Sequence, residues 1–306
     1  MESLIAVLLF IIFSTPLLLA IYTANASRFQ TILRADKNKL ENKRVPTAGG
    51  IFLLPAIICI LATLIGDFGV ALALAVLVAG AIGLADDLKG SGIWLKVPLM
   101  MLPSLPLIIF WVAGEYKIEV PWFLSLFPLI LLLPFITSFF SNAFNIISGY
   151  DGLSMGIGVI QLGTLGVLAF LANNMALCSV ALLSLLVLGT LLLFNWYPSI
   201  VFPGNSGTFI VGTLMPLLFI YGGFWLPLMF LYIPHICEFL FKLRFGGRTD
   251  VFGSVDAEGL ITYSGKPKSV IHLLLIKGRW KELDVTTTFL GLEGVFAVIA
   301  LALVFI

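Results

Sequence analysis

The chain has 306 residues, of which 60% are hydrophobic and 11% are charged, and its mean hydropathy is +1.12. A soluble globular domain carries about 25% charged residues, so this composition excludes an ordinary soluble protein and predicts a polytopic membrane protein. The net charge is +1. We expect no nucleic-acid partner. The three cysteines lie in apolar stretches without a C-x-x-C pair, which argues against disulfide bonds or a zinc site.

Ten apolar segments are long enough to cross a bilayer as helices, which requires roughly 20 residues each. We therefore predict an all-α protein with about ten transmembrane helices, forming a single domain over residues 1–306. The first segment lacks the basic start of a signal peptide, so we interpret it as the first span. Small residues cluster at 71–85 and 156–166, which predicts that these two spans are central in the bundle. The predicted spans are 3–22, 47–66, 69–86, 94–114, 122–141, 153–172, 175–194, 208–222, 224–243 and 285–305.

The basic residues indicate how the chain is oriented. With ten spans, every lysine and arginine except Lys117 falls on one side of the membrane. Cytoplasmic loops are enriched in these residues, so we predict that this side is cytoplasmic and that both termini lie outside. The polar motifs described below fall on the same side, which places a shared active site at the cytoplasmic face of the cell membrane.

Two adjacent carboxylates, Asp86 and Asp87, end the third predicted span. Charged groups beside lipid-facing helices are costly and usually mark function, and Mg²⁺ is often bound through one or two carboxylates plus substrate phosphates. Neighbouring side chains on a helix point about 100° apart, so we expect one aspartate to act on a metal or nucleophile and the other to hold a cation. The alternative is a helix end stopped by charged residues.

The next polar segment holds two amides, Asn142 and Asn145, on one helical face, followed by Gly149 and Asp151 in a predicted turn. This pattern could form a ligand-binding turn, with amide oxygens for a metal and a carboxylate that accepts from a base edge. Helix capping and ordinary turn chemistry are the alternative.

The segment 202–207, Phe-Pro-Gly-Asn-Ser-Gly, precedes the eighth predicted span. Its glycines would let backbone N–H groups approach a phosphate at a helix N-terminus, and Phe202 could stack on a planar base. A capping turn with an interfacial aromatic residue is the alternative.

A long cytoplasmic loop is predicted over residues 242–284, which is long enough to cover a substrate. Short strands are expected at 251–255 and 259–263, and another at 116–120 outside. Most cations of the long loop are explained by the positive-inside rule or by anionic lipids, but Arg244 and Arg248 follow the ninth span closely and are predicted to bind ligand. His235 and His272 have no partner in the sequence and are interpreted as structural.

Taken in order, these segments resemble the polyprenyl-phosphate N-acetylhexosamine-1-phosphate transferase family. Residues 43–50 (Lys-Arg-Val-Pro-Thr-Ala-Gly-Gly) resemble the family's Pro-Thr-x-Gly-Gly entry to the second span, and 83–87 (Gly-Leu-Ala-Asp-Asp) resemble its paired-aspartate motif. Lys96 stands where the family has a lysine on the next helix. Residues 142–153 resemble its asparagine-rich signature, and 195–205 resemble its Asn-Trp-x-Pro and Phe-x-Gly-Asp run.

The resemblance implies that a lipid phosphate attacks the β-phosphorus of a UDP-sugar, giving a lipid-diphospho-sugar and UMP, with Mg²⁺ as cofactor and Mn²⁺ as a possible substitute. By position, the catalytic residues would be Asp86, Asp87 and Lys96, and the metal ligands Asn145 and Asn205. Its partners would be a UDP-sugar, polyprenyl or dolichyl phosphate and membrane lipid, and a second copy of the chain could join it in a homodimer. The predicted substrate-binding residues are Lys43, Asn142, Gly149, Asp151, Phe202, Arg244 and Arg248.

Two sequence patterns indicate which branch of the family the chain resembles most, and one residue departs from the family. The Ser148-Gly149-x-x-Gly152 pattern and the Asn-Trp-Tyr-Pro run look closer to dolichyl-phosphate GlcNAc-1-phosphate transferases than to the bacterial cell-wall branch, which has an aspartate at the place of Ser148. This implies an archaeal enzyme that starts lipid-linked glycan assembly for N-glycosylation. The chain departs from the family at Asn205, where the family has a metal-binding aspartate, and a neutral amide binds Mg²⁺ more weakly than a carboxylate does.

Three alternatives stay open: a transferase for another UDP-amino sugar in cell-surface polymer synthesis, an inactive relative, and a transporter with intramembrane carboxylates. A transporter would place polar residues near mid-span at broken helices. Asp86, Asp87 and Asp151 instead lie at span ends. Glu238 and Glu293 lie in or near predicted spans and fit an interfacial enzyme least.

Overall fold

The computed structural model describes residues 2–28, 32–40, 43–114, 128–246 and 250–303. The strand expected at 116–120, the residue Arg248 and the first part of the span predicted at 122–141 lie outside these ranges. Within them the chain is almost entirely helical. Its helices are α1 (Glu2–Asn25), α2 (Leu54–Leu64), α3 (Gly66–Lys89), α4 (Ile93–Leu99), α5 (Ser104–Val112), α6 (Leu129–Ile146), α7 (Leu153–Leu171), α8 (Met175–Asn195), α9 (Gly204–Tyr221), α10 (Trp225–Leu231), α11 (Ile233–Arg244), α12 (Val270–Leu275) and α13 (Glu282–Ala302).

Eight helical stretches in the described ranges are long and apolar enough to cross a membrane. A ninth forms if α10 and α11 are one span, which bends by 55° at the break between them. Pro234 is the second residue of α11. The span predicted at 47–66 is a shorter apolar helix, Gly49–Leu64, which begins with a 3₁₀ turn. Within the described ranges each predicted span overlaps an apolar helix, and the polytopic class is confirmed, whereas the number of ten spans stays a prediction.

The centre of the bundle is α9, of whose 18 residues 83% are buried. It packs on α3 through small residues: a Cβ placed on Gly83 would lie 2.5 Å from the Cα of Ser206. Small residues let two helices approach this closely. Because the contact lies at the C-terminal end of α3 and the N-terminal end of α9, it brings the Asp86–Asp87 pair beside residues 204–206. The small-residue clusters of α3 and α7 correctly predicted two buried helices, but α9 is buried more than either.

Two short antiparallel ladders interrupt the helical pattern at one end of the bundle. The ladder of β1 (Leu33–Ala35) and β2 (Arg44–Pro46) folds the first loop back on itself. The backbone N–H of Phe202 donates to the carbonyl of Pro46 at 2.8 Å, and that of Gly49 donates to the carbonyl of Phe202 at 3.0 Å. The first loop and the segment before α9 are therefore one unit.

The second ladder, of β3 (Ser254–Val255) and β4 (Ile261–Thr262), lies in the long loop where short strands were predicted. The long loop is anchored to α11 by Glu238, which accepts hydrogen bonds from the Ser269 hydroxyl and the Val270 N–H, both at 2.8 Å. Glu238 thus has a structural role that its sequence position did not reveal. Glu293 of α13 accepts from the amide of Gln161 at 2.8 Å, which ties α13 to α7.

Candidate active site

A cavity of about 530 Å³ opens at the end of the bundle where the two ladders lie. Its walls are formed by the C-terminal end of α3, the turn between α6 and α7, the start of α9, and parts of the first loop and of the long loop. Among the predicted site residues, the structure brings seven to its walls. They are Asp86, Asp87, Lys96, Gly149, Asp151, Phe202 and Asn205.

Asp86 is the most heavily contacted polar group at one end of this cavity. Its carboxylate forms an ion pair with Lys96 at 2.6 Å, and accepts from the backbone N–H of Ser91 at 2.6 Å. The Ser91 hydroxyl and the side-chain amide of Asn205 also donate to it. These donors fix the carboxylate and the Lys96 ammonium at the cavity wall, where the cation can meet an anionic ligand.

Asp87 points to a different place, the N-terminus of α9. One carboxylate oxygen accepts from the backbone N–H of Asn205 at 2.7 Å, and the other accepts from the N–H and hydroxyl of Ser206 at 3.0 and 2.9 Å. The first turn of a helix has unpaired N–H groups and a partial positive charge, so a carboxylate here stabilises α9 in this position. The two aspartates therefore have separate surroundings, as adjacent positions on a helix predict.

Two side-chain amides meet beside Asp86. The amide nitrogen of Asn145 lies 2.6 Å from the side-chain oxygen of Asn205 and 2.6 Å from the hydroxyl of Thr208. Asp86, Asn205 and Thr208 line the cavity, whereas Asn145 contacts Asn205 and Thr208 without lining it. Amide, hydroxyl and carboxylate oxygens thus lie within one small region. These are the donors that Mg²⁺ prefers, and with Asp86 as the nearest carboxylate, substrate phosphates would supply the remaining negative charge. The residues present therefore fit a magnesium ion.

A second part of the cavity wall, called here the Gly149 end, is built around Gly149. Its φ of 149° favours glycine, and a Cβ placed on it would lie 2.5 Å from a methyl group of Val251. Tyr150 fixes this contact by donating from its hydroxyl to the carbonyl of Val251 at 3.2 Å. Phe202 and Phe252 both line the cavity and give it two aromatic surfaces.

Asp151 lies at this end and is only 2% exposed. Its carboxylate accepts from the backbone N–H of Ser199 at 3.0 Å and pairs with Lys39 at 3.0 Å. Both interactions occupy the same oxygen, so the carboxylate is held by the protein itself. It braces the turn between α6 and α7 against the segment before α9.

Several predicted site residues lie elsewhere. Lys43 and Arg244 are exposed and do not line the cavity, and the guanidinium of Arg244 lies 5.9 Å from the ring centre of Phe245. Asn142 also lies outside the lining and donates to the carbonyl of Ser138 at 2.8 Å, one turn earlier in α6. Their roles in substrate binding stay predictions.

The structure also adds residues that the sequence reasoning missed. Arg34 lines the cavity and donates to the backbone carbonyl of Asp87 at 2.5 Å. Phe252 of the long loop also lines the cavity, and its backbone carbonyl oxygen lies 3.2 Å from the Nε2 of His272. The loop also contains Phe245, Tyr263 and Trp280, so nothing in the sequence singled out Phe252.

The comparisons with known proteins agree with this geometry. Residues 69–223 match the sequence profile of glycosyl transferase family 4. The chain belongs to this family. The match covers α3 to α9, and therefore includes Asp86, Asp87, Lys96, Asn145 and Asn205.

Two archaeal relatives align with this family 4 glycosyl transferase over most of its length. A protein of Saccharolobus solfataricus is 34% identical over 92% of the chain and 89% of the relative, and one of Sulfolobus acidocaldarius is 30% identical over 87% and 85%. Both are provisionally named UDP-N-acetylglucosamine–dolichyl-phosphate N-acetylglucosaminephosphotransferase. A phospho-N-acetylmuramoyl-pentapeptide-transferase of Streptococcus mutans is 30% identical over 67% of each chain.

Proposed function

We propose that the protein transfers N-acetylglucosamine-1-phosphate from UDP-N-acetylglucosamine to dolichyl phosphate. An oxygen of the lipid phosphate bonds to the β-phosphorus of the nucleotide sugar, the bond from that phosphorus to the bridging oxygen breaks, and UMP leaves. The product is a dolichyl-diphospho-sugar. The observation that carries this proposal is the meeting of Asp86, Lys96 and Asn205 at one cavity, at the end of apolar helices, in a chain similar to relatives named for this reaction. Asn145 contacts this group through the side chain of Asn205.

The Asp86 end of the cavity has the chemistry for the diphosphate. Phosphoryl transfer depends mainly on positioning and on neutralising the charge of the phosphates. Lys96, held by Asp86 at 2.6 Å, supplies a fixed cation. The lipid phosphate is already an anion near neutral pH, so the carboxylates are needed for orientation more than for strong base catalysis.

A divalent cation is the second source of positive charge. Asn145 and Asn205 would hold Mg²⁺, or Mn²⁺ in its place, with Asp86 as the nearest carboxylate. When bound, the ion would neutralise the diphosphate and orient it for in-line attack. Asp87 would act on the metal site indirectly, because it accepts a hydrogen bond from the backbone N–H of Asn205 and so fixes the position of that residue.

The Gly149 end would hold the nucleoside. A uracil ring could stack on Phe202 or Phe252, both of which line the cavity, and base–aromatic stacking contributes about 1–3 kcal/mol. A side chain at Gly149 would meet Val251 and displace the turn that lines this end of the cavity. The Asp86 end and the Gly149 end together would hold the diphosphate and the nucleoside of the UDP-sugar.

The lipid substrate would approach through the bilayer. We place the cavity at the cytoplasmic face because the loops around it carry most of the basic residues, with ten spans and both termini outside. Exposed apolar side chains on the helices provide a lipid-facing surface for a polyprenyl chain. A homodimer is compatible with this arrangement.

The test is release of UMP from UDP-N-acetylglucosamine by the purified protein, with dolichyl phosphate and Mg²⁺ present together or omitted singly. Release that needs both supports the proposal. Release from another UDP-amino sugar in preference would favour the alternative of cell-surface polymer synthesis. Absence of release with a range of lipids, UDP-sugars and divalent metals would favour an inactive relative or a transporter.

A further inference from the structure

Lys39 lies at the centre of a buried charge cluster next to the nucleoside end of the cavity. Its ammonium is 3.0 Å from the carboxylate of Asp151, 3.4 Å from that of Asp36, and in direct contact with that of Glu282. The three acidic side chains are 2–4% exposed and that of Lys39 is 19% exposed. One cation from the first loop thus joins the turn before α7 to the first residue of α13. We call these four residues the Lys39 cluster.

Backbone contacts connect the Lys39 cluster to the cavity wall. Asn38 donates from its side-chain amide to the carbonyl of Gly149 and to Glu282, both at 2.9 Å. Glu282 also accepts from the backbone N–H of Asp151 at 2.9 Å, and the Thr286 hydroxyl donates to the carbonyl of Asp151 at 2.9 Å. The turn from Gly149 to Asp151 is therefore held by polar contacts that converge on Lys39 and Glu282.

The ammonium of Lys39 compensates the negative charges of the three carboxylates in the cluster. One oxygen from each of the three carboxylates lies within 4.8 Å of the others, so like charges repel across a poorly solvated space. Burial lowers the pKa of Lys39, but its hydrogen bonds and charge interactions with Glu282 and Asp151 raise that pKa above its usual range. Removing one partner from a buried charged group is strongly destabilising locally, because the remaining charges are uncompensated.

Lys39 itself does not line the cavity, whereas Asp36, Gly149 and Asp151 do. The diphosphate end has separate supports: Lys96 on Asp86, and Asp87 on the first turn of α9. Loss of Lys39 should therefore disturb one end of the cavity and leave the other in place.

We propose that Lys39 is a positioning residue that sets the nucleoside end for the UDP-sugar. This rests on the proposed transferase function. Lys39 acts through the turn at Gly149 and Asp151, so its loss weakens binding of the nucleotide sugar while the chemical step and lipid binding are retained.

The experiment compares Lys39→Met, Lys39→Arg and the control Lys277→Met, which removes an exposed lysine of the long loop. For each purified variant, kcat and the KM values for UDP-N-acetylglucosamine and dolichyl phosphate are measured, together with Tm. We expect Lys39→Met to raise the KM for the nucleotide sugar by about tenfold or more, with kcat and the lipid KM changed by no more than about threefold. Lys39→Arg keeps the charge and should recover most of the loss, and Lys277→Met should match the wild type.

An unchanged KM for the nucleotide sugar in Lys39→Met, or an equal fall in kcat with the KM unchanged, would overturn the inference. If Lys39→Met does not fold, Lys39→Arg and Glu282→Gln decide, since a positioning role requires a raised nucleotide-sugar KM in Glu282→Gln and little change in Lys39→Arg. A wild-type protein that neither binds nor turns over UDP-N-acetylglucosamine would overturn the proposed function, and this inference with it. A wild-type protein that is active beside an unaffected Lys39→Met would overturn the inference alone.

Discussion

The carboxylate of Asp87 accepts a hydrogen bond from the backbone N–H of Asn205 at 2.7 Å, across 118 positions of sequence. This bond joins the last turn of α3 to the first turn of α9. It also aims the Asn205 side chain at Asp86 and Asn145. This contact between α3 and α9 therefore helps to set Asn205 beside Asp86, the carboxylate that holds Lys96.

Replacing Asp87 with asparagine should nearly abolish turnover, lowering its rate by about 100-fold or more. The reason is that an amide has one accepting oxygen where the carboxylate uses two. The fold should survive, since α3 and α9 also pack through Gly83. UMP release and Tm are the measurements. Asp67→Asn, an exposed aspartate at the other end of α3, is the control. Retained activity in folded Asp87→Asn would contradict the role assigned to Asp87.

Replacing Asn205 with aspartate should tighten metal binding. The change sets a carboxylate beside Asp86 in place of an amide that donates to it, and a divalent cation relieves the resulting repulsion. The Mg²⁺ concentration for half-maximal activity should fall several-fold, and activity without added metal should fall as well. If the Mg²⁺ dependence of Asn205→Asp equals that of the wild type, Asn205 does not lie at the metal.

Replacing Gly149 with alanine should raise the KM for the nucleotide sugar. The φ of 149° and the Val251 methyl group at 2.5 Å both oppose a Cβ there, and such backbone strain costs about 1–3 kcal/mol. Gly189→Ala is the control, because a Cβ at that position meets no atom within 4 Å. An unchanged KM in a folded Gly149→Ala variant would show that the substrate does not depend on this turn.

The long loop should become less stable as the pH falls. Burial lowers the pKa of His272, the hydrogen bond to Phe252 opposes this, and the positive charges of Lys268 and Lys242 lower it further. Its Nδ1 accepts from the backbone N–H of Lys268 at 3.2 Å, which requires a neutral ring. Because the folded pKa is depressed, this contribution is complete above the unfolded pKa of about 6.5 and is lost as the pH falls toward the folded value.

Limited proteolysis of residues 250–280 between about pH 7.5 and 5 tests this expectation. Cleavage should rise toward acidic pH in the wild type. In His272→Asn, which keeps an acceptor but does not titrate, the rate should depend less on pH. Equal pH dependence in both proteins would assign the effect to another group.

Local patterns in the sequence predicted much of this molecule. Long apolar runs predicted the helices, and the position of Asp86 and Asp87 at a span end predicted their place at a cavity. The resemblance correctly grouped Lys96 and Asn205 with them at its walls. These features depend on residues close in sequence, or on motifs whose order is preserved.

The contacts between distant segments could not be predicted in this way. Lys39 and Glu282 are 243 positions apart, and neither has a local pattern that differs from an ordinary surface charge. Asn142 and Asn145 have the spacing of a ligand pair, yet neither lines the cavity: Asn142 bonds to the carbonyl of Ser138, and Asn145 reaches the site only through Asn205 and Thr208. Pairing across the fold depends on tertiary packing, which periodicity and motif spacing do not specify.

The most direct test of the account is UMP release from UDP-N-acetylglucosamine by purified wild-type protein in the presence of dolichyl phosphate and Mg²⁺. We expect release that requires both the lipid phosphate and the metal, despite the amide of Asn205. Release of UMP without the lipid, or no release under any combination of lipid, UDP-sugar and divalent metal, would contradict the account.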